Sequence, residues 1–250
     1  MPYLTVSPRK IFFRHWKASA PKAHALLLHG YGEHSGHYHR FANALVARGI
    51  EVLAPDAIGH GQSDGERGNP EALAHLVENA KLCLEELRDE APNRPCFVIG
   101  HSMGAITALA LTLDHAEQVT KLVLSGMPLD GISPAQQASL PEAIMSKDPF
   151  YLDELEHDPL GFDALAEFPH AMRVLDPSHG LSERLSELNV PVLLVAGDHD
   201  FLCPAEVISR CEARLPSATS KVFPDAYHDL LNDTSHVEVA AEIADWVLDD

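Results

Sequence analysis

A five-residue segment after an apolar run constrains the fold of this chain more than any other feature. Gly100-His101-Ser102-Met103-Gly104 follows the β-rich run Cys96–Ile99 and precedes the Ala- and Leu-rich stretch Ala105–His115. The first run is typical of a buried strand and the second of a buried helix. A strand that turns sharply into a helix leaves no room for side chains beside the central residue, which explains the flanking glycines. The pattern therefore predicts that Ser102 stands above the edge of a sheet.

The rest of the chain alternates short apolar strands with helical stretches. This order predicts a mostly parallel sheet with helices on both faces, and 250 residues suffice for one such core. Pro70 and Pro204 are expected in first helical turns, where a missing N–H is tolerated. The predicted strands are Tyr3–Val6, Phe12–Trp16, Ala23–His29, Ile50–Ala54, Cys96–Ile99, Lys121–Ser125, Val192–Ala196 and Ser220–Phe223. The predicted helices are His37–Arg48, Pro70–Glu90, Ser102–His115, Pro204–Arg214 and Ser235–Leu248.

A serine hydroxyl becomes a nucleophile when an imidazole takes its proton and a carboxylate orients the imidazole. In the α/β-hydrolase fold, which the turn and the strand order predict, the acid and then the histidine follow the serine along the chain. Asp198 and Asp200 both follow the strand Val192–Ala196. The reach to the imidazole favours Asp200, whereas Asp198 suits a turn-stabilising role.

The histidine should follow the last strand. Three histidines lie late enough in the chain, namely His199, His228 and His236. His228 comes directly after the final predicted strand and before a helix, whereas His236 begins that helix and His199 precedes Asp200. We therefore predict that Ser102, Asp200 and His228 form a catalytic triad.

Hydrolysis through an acylated serine also needs two preorganised N–H donors for the oxyanion intermediate. Met103 supplies one, because it directly follows the candidate nucleophile. The other is expected in the loop after the first long parallel strand, where Gly30 and Gly32 let the backbone turn its amides inward. Tyr31 is the candidate donor there, through its backbone N–H.

Composition narrows the class of partner. The formal charge of −19 argues against nucleic acid and anionic membrane surfaces as partners. The histidine-rich stretch from His29 to His39 lacks HExxH spacing, so we expect neither a metal nor a cofactor. No apolar run is long enough for a bilayer span, the N-terminus lacks signal-peptide order, and the four cysteines form no CxxC pair. These features favour a cytoplasmic protein.

Five segments, in the same order, resemble the monoacylglycerol lipases and related lysophospholipase-like serine hydrolases. His29–Tyr38 is similar to their HGxGEHSGRY segment, Gly59–Gly68 to their GHGxSxGxRG loop, Gly100–Gly104 to their GHSMG turn, Gly197–Cys203 to their GxxDxLC acid loop, and Ala226–His228 to their AYH or GYH histidine. The resemblance implies that Asp200 is the acid. The chain departs from the family at His37, where many members carry Arg, and at Tyr31, where several carry Ala.

The stretch between Met127 and Val190 breaks the alternation, because it contains proline breaks and no clear buried strand. Short helices separated by turns fit it better than a disordered loop. We expect residues 130–189 to be a small helical cap inserted after the sixth strand, with residues 1–129 and 190–250 as the hydrolase core. Apolar cap residues are candidates to line an acyl pocket, namely Ile132, Ile144, Met145, Phe162 and Leu165.

The leading hypothesis is a serine ester hydrolase that cleaves monoacylglycerols or similar single-chain acyl esters to fatty acid and glycerol through an acyl-enzyme. Its partner is then a small lipid or ester, with at most transient contact with lipid surfaces; the sequence does not give the oligomeric state. The alternative is a broad carboxylesterase or thioesterase acting on small or aromatic esters. A hydrolase-fold ligand receptor is a hypothesis from a different class, which no feature of the sequence favours.

Overall fold

The central feature of the computed structural model is an eight-stranded sheet with the order β1-β2-β4-β3-β5-β6-β7-β8. The structure describes residues 3–6, 9–176 and 179–249. Residues 1–2, 7–8, 177–178 and 250, which the predicted core and cap ranges include, lie outside the described residues. The strands are β1 (Tyr3–Val6), β2 (Arg9–Trp16), β3 (Ala23–Leu28), β4 (Ile50–Pro55), β5 (Cys96–His101), β6 (Lys121–Ser125), β7 (Val192–Gly197) and β8 (Ala218–Phe223).

The sheet is parallel from β4 to β8, and antiparallel pairing occurs between β1 and β2 and between β2 and β4. The prediction of a mostly parallel sheet is thus confirmed, and the two N-terminal strands give it an antiparallel edge. Strands β3, β4, β5 and β7 are buried along their whole length, as expected for strands covered on both faces. Because parallel strands run in one direction, the loops that follow β3, β5, β7 and β8 meet at one edge of the sheet.

Helices cover both faces of the sheet. α1 and α9 pack together on one face, and α2, α3 and α8 bury their apolar residues against the other. α3 is buried over its first ten residues, which accounts for its high content of small and aliphatic side chains. The helices of the core are α1 (His39–Ala47), α2 (Leu73–Glu90), α3 (Met103–Asp114), α8 (Ala205–Glu212) and α9 (His236–Leu248).

All five predicted helix starts lie one to three residues before the observed ones, including the two that were expected at prolines. Helix α2 begins at Leu73 rather than Pro70, because Ala72 is extended and Glu71 has a φ of 63°. Pro204 lies just outside α8 as its N-cap residue, with extended backbone, instead of in the first turn. In both cases proline directs the chain toward the helix without joining it.

The chain between β6 and β7 forms short helices, and its described residues contain no strand. These helices are α4 (Pro134–Ser139), α5 (Pro149–His157), α6 (Phe168–Leu175) and α7 (Leu181–Arg184). Ser133 and Asp148 cap α4 and α5 by accepting hydrogen bonds from first-turn N–H groups. Among the described residues, no helix is both long and apolar enough to cross a membrane.

Replacing Gly104 with alanine should destabilise the fold. An added Cβ would overlap the carbonyl oxygen of Leu28 and would lie 2.6 Å from that of His29, and neither backbone atom can move without distorting β3. Overpacking of this kind costs about 1–3 kcal/mol, so thermal unfolding should show a lowered Tm. Gly161→Ala is the matched control, since Gly161 is exposed and its added Cβ would come no closer than 3.2 Å to a neighbour. An unchanged Tm for Gly104→Ala would contradict this account.

Candidate active site

Ser102 occupies the sharp turn between β5 and α3. Its backbone has φ 51° and ψ −114°, a conformation that is costly for a residue with a side chain. The turn is held by a hydrogen bond of 2.9 Å from the Ser102 N–H to the Ser125 carbonyl oxygen, and by the close approach of Gly100 and Gly104 to neighbouring backbone. This strained turn sets the hydroxyl at the carboxyl edge of the sheet, as the pentapeptide predicts.

The three candidate triad residues form a continuous chain of hydrogen bonds. Ser102 Oγ lies 2.9 Å from His228 Nε2, and His228 Nδ1 lies 2.9 Å from both carboxylate oxygens of Asp200. His228 and Asp200 are buried, and Ser102 is 9% exposed. This order allows the His228 imidazole to take the Ser102 hydroxyl proton while the Asp200 carboxylate keeps the imidazole in the required tautomer.

A glycine makes room for this arrangement. The loops after β7 and β8 reach back over the end of β6 to meet Ser102, and Gly126 follows β6 with a φ of 55°. A Cβ at Gly126 would lie 3.0 Å from His228 Cε1 and 3.1 Å from Asp200 Oδ2. A side chain there would press on both the acid and the base, so the site needs glycine at this position.

The structure separates the two acid candidates. Asp200 is buried and also accepts hydrogen bonds from the Leu202 and Cys203 N–H groups at 3.0 and 2.8 Å. Asp198 is exposed and accepts a bond of 3.3 Å from the Ala226 N–H, which is a turn-stabilising contact. Only Asp200, of these two, reaches the imidazole.

Asp200 and His228 shift each other's ionisation. Burial disfavours the charged form of each group, but their mutual attraction prevails. The His228 imidazole and the Cys203 N–H hold the pKa of Asp200 below its usual value. Burial alone would lower the pKa of His228, whereas the charge of Asp200 and its hydrogen bond raise that pKa to about 9. The pair therefore stabilises an imidazolium, the species formed when the serine gives up its proton.

The loop after β3 brings its backbone to the nucleophile. A Cβ on Gly30 would lie 3.4 Å from Ser102 Cβ, so the loop passes directly beside it. His29 Nε2 accepts from the Ala57 N–H, so its proton is on Nδ1, which donates to the Gly30 carbonyl oxygen at 2.7 Å. Because that carbonyl and the Tyr31 N–H belong to one planar trans peptide and point in opposite directions, His29 fixes the direction of the Tyr31 N–H.

Met103 and Tyr31, the predicted oxyanion donors, both lie next to the nucleophile: Met103 directly follows Ser102, and Tyr31 lines the same cavity as Ser102. Met103 is the first residue of α3, so its N–H has no partner within the helix. The Tyr31 hydroxyl lies 2.7 Å from the carbonyl oxygens of both Gly68 and Glu167. The Tyr31 side chain thus contacts the segment between β6 and β7, while the loop that carries its N–H passes beside Ser102.

A buried carboxylate that sequence reasoning missed lies beside this loop. Glu33 is 5% exposed and accepts hydrogen bonds from four groups: the Gly30 N–H, the Tyr38 and Tyr151 hydroxyls, and the Asn232 side-chain amide. Burial opposes its ionisation, but the nearby His101 and the two tyrosine hydroxyls lower the pKa of Glu33 to about 2. The only sequence signal was its position in the segment His29–Tyr38, which by itself gives no role.

A second buried pair lies next to His228. His101 Nε2 is 3.4 Å from Asp229 Oδ1, and the His101 ring lies 4.9 Å from the His228 ring. Burial raises the pKa of Asp229. These two side chains and Glu33 form the polar end of the site.

The Ser102 hydroxyl opens into a cavity of about 320 Å³. One end is polar and includes Ser102, His228 and Glu33. The remaining wall is mainly apolar and comes largely from the segment between β6 and β7, with Ile132, Leu140, Met145, Tyr151, Leu165 and Phe168 among its residues. The cavity is therefore suited to a molecule with a reactive polar group and an apolar chain.

Three of the five predicted pocket residues, Ile132, Met145 and Leu165, line this cavity. The structure places the other two elsewhere. Ile144 is 53% exposed, because it lies in an irregular stretch after α4 where its neighbour Met145 takes the inward position. Phe162 packs with its ring 5.5 Å from that of Tyr31 and 5.2 Å from that of His60, outside the cavity wall.

Part of the histidine-rich stretch does converge, on an acid from the segment between β6 and β7. His34 Nε2 and His37 Nε2 lie 2.9 and 3.2 Å from Asp158 Oδ2, a geometry that a metal ion could use. However, His34 Nδ1 accepts a hydrogen bond of 2.9 Å from the Gly36 N–H. Its proton is consequently on Nε2, where a metal would need a lone pair. The cluster is better described as a hydrogen-bonded contact between the loop and Asp158.

The sheet order, the strained serine turn and the Ser102–His228–Asp200 chain define a serine hydrolase with the α/β-hydrolase fold. The family model described as "Serine aminopeptidase, S33" matches residues 19–142 and 130–235, and the chain belongs to this family. The match covers most of the chain, including all three triad residues.

Individual relatives agree with this assignment. The chain is similar to a monoacylglycerol lipase of Mycolicibacterium smegmatis, with 28% identity over 91% of this chain and 89% of the relative. It is also similar to the monoglyceride lipase of Rattus norvegicus, with 30% identity over 95% of this chain and 86% of the relative. The crystal structure of Paleococcus ferrophilus monoacylglycerol lipase superposes with a TM-score of 0.79 at 25% identity, covering 95% of this chain and 98% of that one.

The raised pKa of His228 predicts an alkaline rise in activity. Only the neutral imidazole can take the Ser102 proton, so kcat/KM should increase with pH from neutrality toward the pKa of about 9 and then level off. The measurement is a pH profile of kcat/KM on a soluble ester whose own ionisation does not change in this range. A profile that is already level at neutral pH would contradict the predicted shift.

The acid assignment can be tested with two matched variants. Asp200→Asn removes the charge that orients His228 and raises its pKa, so kcat should fall by about 10⁴-fold and the remaining pH profile should move toward lower pH. Asp198→Asn makes the same chemical change on an exposed turn residue and should leave kcat nearly unchanged. The assignment fails if Asp198→Asn is the damaging substitution and Asp200→Asn is mild.

Proposed function

We propose that this protein hydrolyses monoacylglycerols or similar single-chain acyl esters to a fatty acid and glycerol. The observation that carries the proposal is the Ser102–His228–Asp200 chain at the polar end of a cavity whose remaining wall is mainly apolar. The relatives named as monoacylglycerol and monoglyceride lipases over most of the chain add independent support.

In the first half-reaction, Ser102 Oγ attacks the ester carbonyl carbon while His228 Nε2 takes the hydroxyl proton. The carbonyl oxygen becomes an oxyanion that accepts hydrogen bonds from the N–H groups of Tyr31 and Met103. Asp200 stabilises the imidazolium. The carbon–oxygen bond to glycerol then breaks, and His228 transfers its proton to the departing glycerol oxygen, which leaves an acyl-serine.

In the second half-reaction, a water molecule attacks the acyl carbon. His228 Nε2, neutral again after glycerol leaves, takes a proton from this water. The resulting oxyanion uses the same two N–H donors. Its collapse breaks the bond to Ser102 Oγ, which recovers its proton from His228, and the fatty acid is released.

We further propose that residues 130–189 act as a cap over a hydrolase core of residues 1–129 and 190–250. The position of α5 and α6 at the cavity supports this division. The apolar wall that they provide is suited to an acyl chain. Ile144, Phe150 and Leu165 are about half exposed on the same segment, which is compatible with transient contact with a lipid surface.

The charge of the cap favours neutral substrates. From residue 131 to residue 189 the sequence has eleven Asp and Glu against three Lys and Arg. An anionic head group would be repelled from this surface as it approaches the cavity. Glycerol esters carry no charge and avoid this repulsion.

Purified protein should hydrolyse monoolein faster than lysophosphatidic acid, which has the same kind of acyl chain and an anionic head group. Its kcat/KM should also be higher for monoolein than for p-nitrophenyl acetate, because only the longer chain fills the apolar wall. Ser102→Ala, which removes the nucleophile with minimal change of volume, should abolish both turnover and labelling by a fluorophosphonate probe.

Each competing function has its own outcome in this assay. A preference for p-nitrophenyl acetate or a thioester over every monoacylglycerol in a chain-length series would favour the broad esterase. Tight binding of an ester without turnover, in a protein whose Ser102 still reacts with the probe, would favour a ligand receptor. Faster hydrolysis of lysophosphatidic acid would overturn the charge argument alone.

A further inference from the structure

The loop that carries the Tyr31 N–H is held from two sides. His29 holds the Gly30 carbonyl oxygen from the core, as described above. Glu33 Oε2 accepts the Gly30 N–H at 2.8 Å, and the Glu33 N–H approaches the Gly30 carbonyl oxygen at 3.4 Å. The two peptide groups that flank Gly30 are thereby fixed. The Glu33 carboxylate holds the peptide group before Gly30, and His29 holds the one after it, which carries the Tyr31 N–H.

The Glu33 carboxylate has no capacity left for a substrate. Oε2 accepts from the Gly30 N–H and from the Tyr38 hydroxyl at 2.6 Å, and Oε1 accepts from the Tyr151 hydroxyl at 2.7 Å and from Asn232 Nδ2 at 3.1 Å. Two donors on each oxygen account for the usual capacity of a carboxylate. Glu33 therefore acts on the site through the loop and not by binding the substrate.

One of the four donors comes from the segment between β6 and β7. Tyr151 belongs to α5 and its side chain is fully buried, whereas Gly30, Tyr38 and Asn232 belong to the hydrolase core. The Tyr151 hydroxyl and the Gly30 N–H are thus joined through a single carboxylate. If α5 moved away, a buried charge would lose a hydrogen bond next to the backbone that it holds, and the carboxylate would have to shift to find another donor.

Other side chains of the same loop also reach this segment. The Tyr31 hydroxyl lies 2.7 Å from the Glu167 carbonyl oxygen, and His34 Nε2 lies 2.9 Å from Asp158. A Cβ on Gly32 would lie 2.9 Å from Ala164 Cβ, so the backbone itself is in close contact there. The loop therefore contacts the segment between β6 and β7 at several points.

We propose that Glu33 is a positioning residue for the oxyanion hole, and that its bond to Tyr151 makes the geometry of the hole depend on the docking of α5. This inference rests on the proposed function, because it assigns Glu33 a task in ester hydrolysis. Closure of the cap over a substrate and completion of the oxyanion hole are then one event. Turnover in the undocked state is correspondingly slow.

The first test is Tyr151→Phe, which keeps the ring and removes only the hydroxyl. Loss of a whole oxyanion donor costs about 10²–10³-fold in kcat, and a displaced donor should cost less, on the order of tenfold in kcat. The loss should be the same for monoolein and for p-nitrophenyl acetate, with KM little changed. The inhibition constant of a boronic acid, whose adduct with Ser102 mimics the oxyanion intermediate, should rise in proportion to the loss in kcat.

Tyr3→Phe is the matched control, because Tyr3 lies on β1 against Phe12, far from the site, and loses the same atom. Its kcat and its boronic acid inhibition should equal those of the unmodified protein. Titration of Ser102 with a fluorophosphonate counts the reactive sites in each preparation, and the Tm shows whether the fold has been destabilised. Rates per titrated site then separate a loss of folding from a loss of positioning.

A second variant tests Glu33 itself. Glu33→Gln keeps the shape but leaves one acceptor oxygen for the four donors, so kcat should fall by at least as much as in Tyr151→Phe. Because both changes act on one contact, the double variant should lose little more than Glu33→Gln alone.

The proposal is overturned if Tyr151→Phe retains kcat and boronic acid affinity per titrated site, or if the two substitutions are additive. It is also overturned if the loss in Tyr151→Phe is confined to KM for the long-chain ester, since that pattern indicates a pocket contact only. Failure of the proposed function is a separate result, visible as absence of monoolein turnover in the unmodified protein.

Discussion

The common carboxyl edge of the parallel strands is the constraint on which the site depends. Ser102, Asp200 and His228 are far apart in the chain, and each follows a different strand of one sheet. Parallel pairing from β5 to β8 brings the three loops to one edge, and the small size of Gly126 lets the last two cross β6. The hydrogen bonds of 2.9 Å between the three side chains follow from this register.

The buried carboxylates place a second constraint on the structure of the site. Asp200 and Glu33 are both carboxylates removed from water, and each is retained by the hydrogen bonds that it accepts. A buried carboxylate without such donors would be costly, so each one determines where its donors must lie. Asp200 determines the orientation of an imidazole, and Glu33 determines the position of a loop. Hydrogen bonds to a buried carboxylate thus orient the imidazole of the triad and also hold the loop beside Ser102.

The sequence predicted those features of the site that depend on residues close together in the chain. The turn at Ser102 was predictable because Gly100 and Gly104 reflect backbone contacts that no other residue tolerates. The preference for Asp200 over Asp198 agrees with the geometry, since only a position beyond the strand end reaches the imidazole. Helix starts were less accurate, because the extended Ala72 and the positive φ of Glu71 leave no clear mark in the sequence.

The sequence by itself determined the alternation of strands and helices along the chain, the mostly parallel sheet that follows from it, and the candidate nucleophile with its candidate partners. It also determined that the segment between the sixth and seventh strands is helical. Only the tertiary structure decided which apolar side chains of that segment face the cavity: it turned Met145 inward and left Ile144 in solvent. It also decided that Glu33, which holds the Gly30 N–H, accepts a hydrogen bond from Tyr151, 118 positions further along the chain. The physical reason is that apolar character and charge are properties of a residue, whereas the partner that satisfies a buried group depends on where distant segments pack.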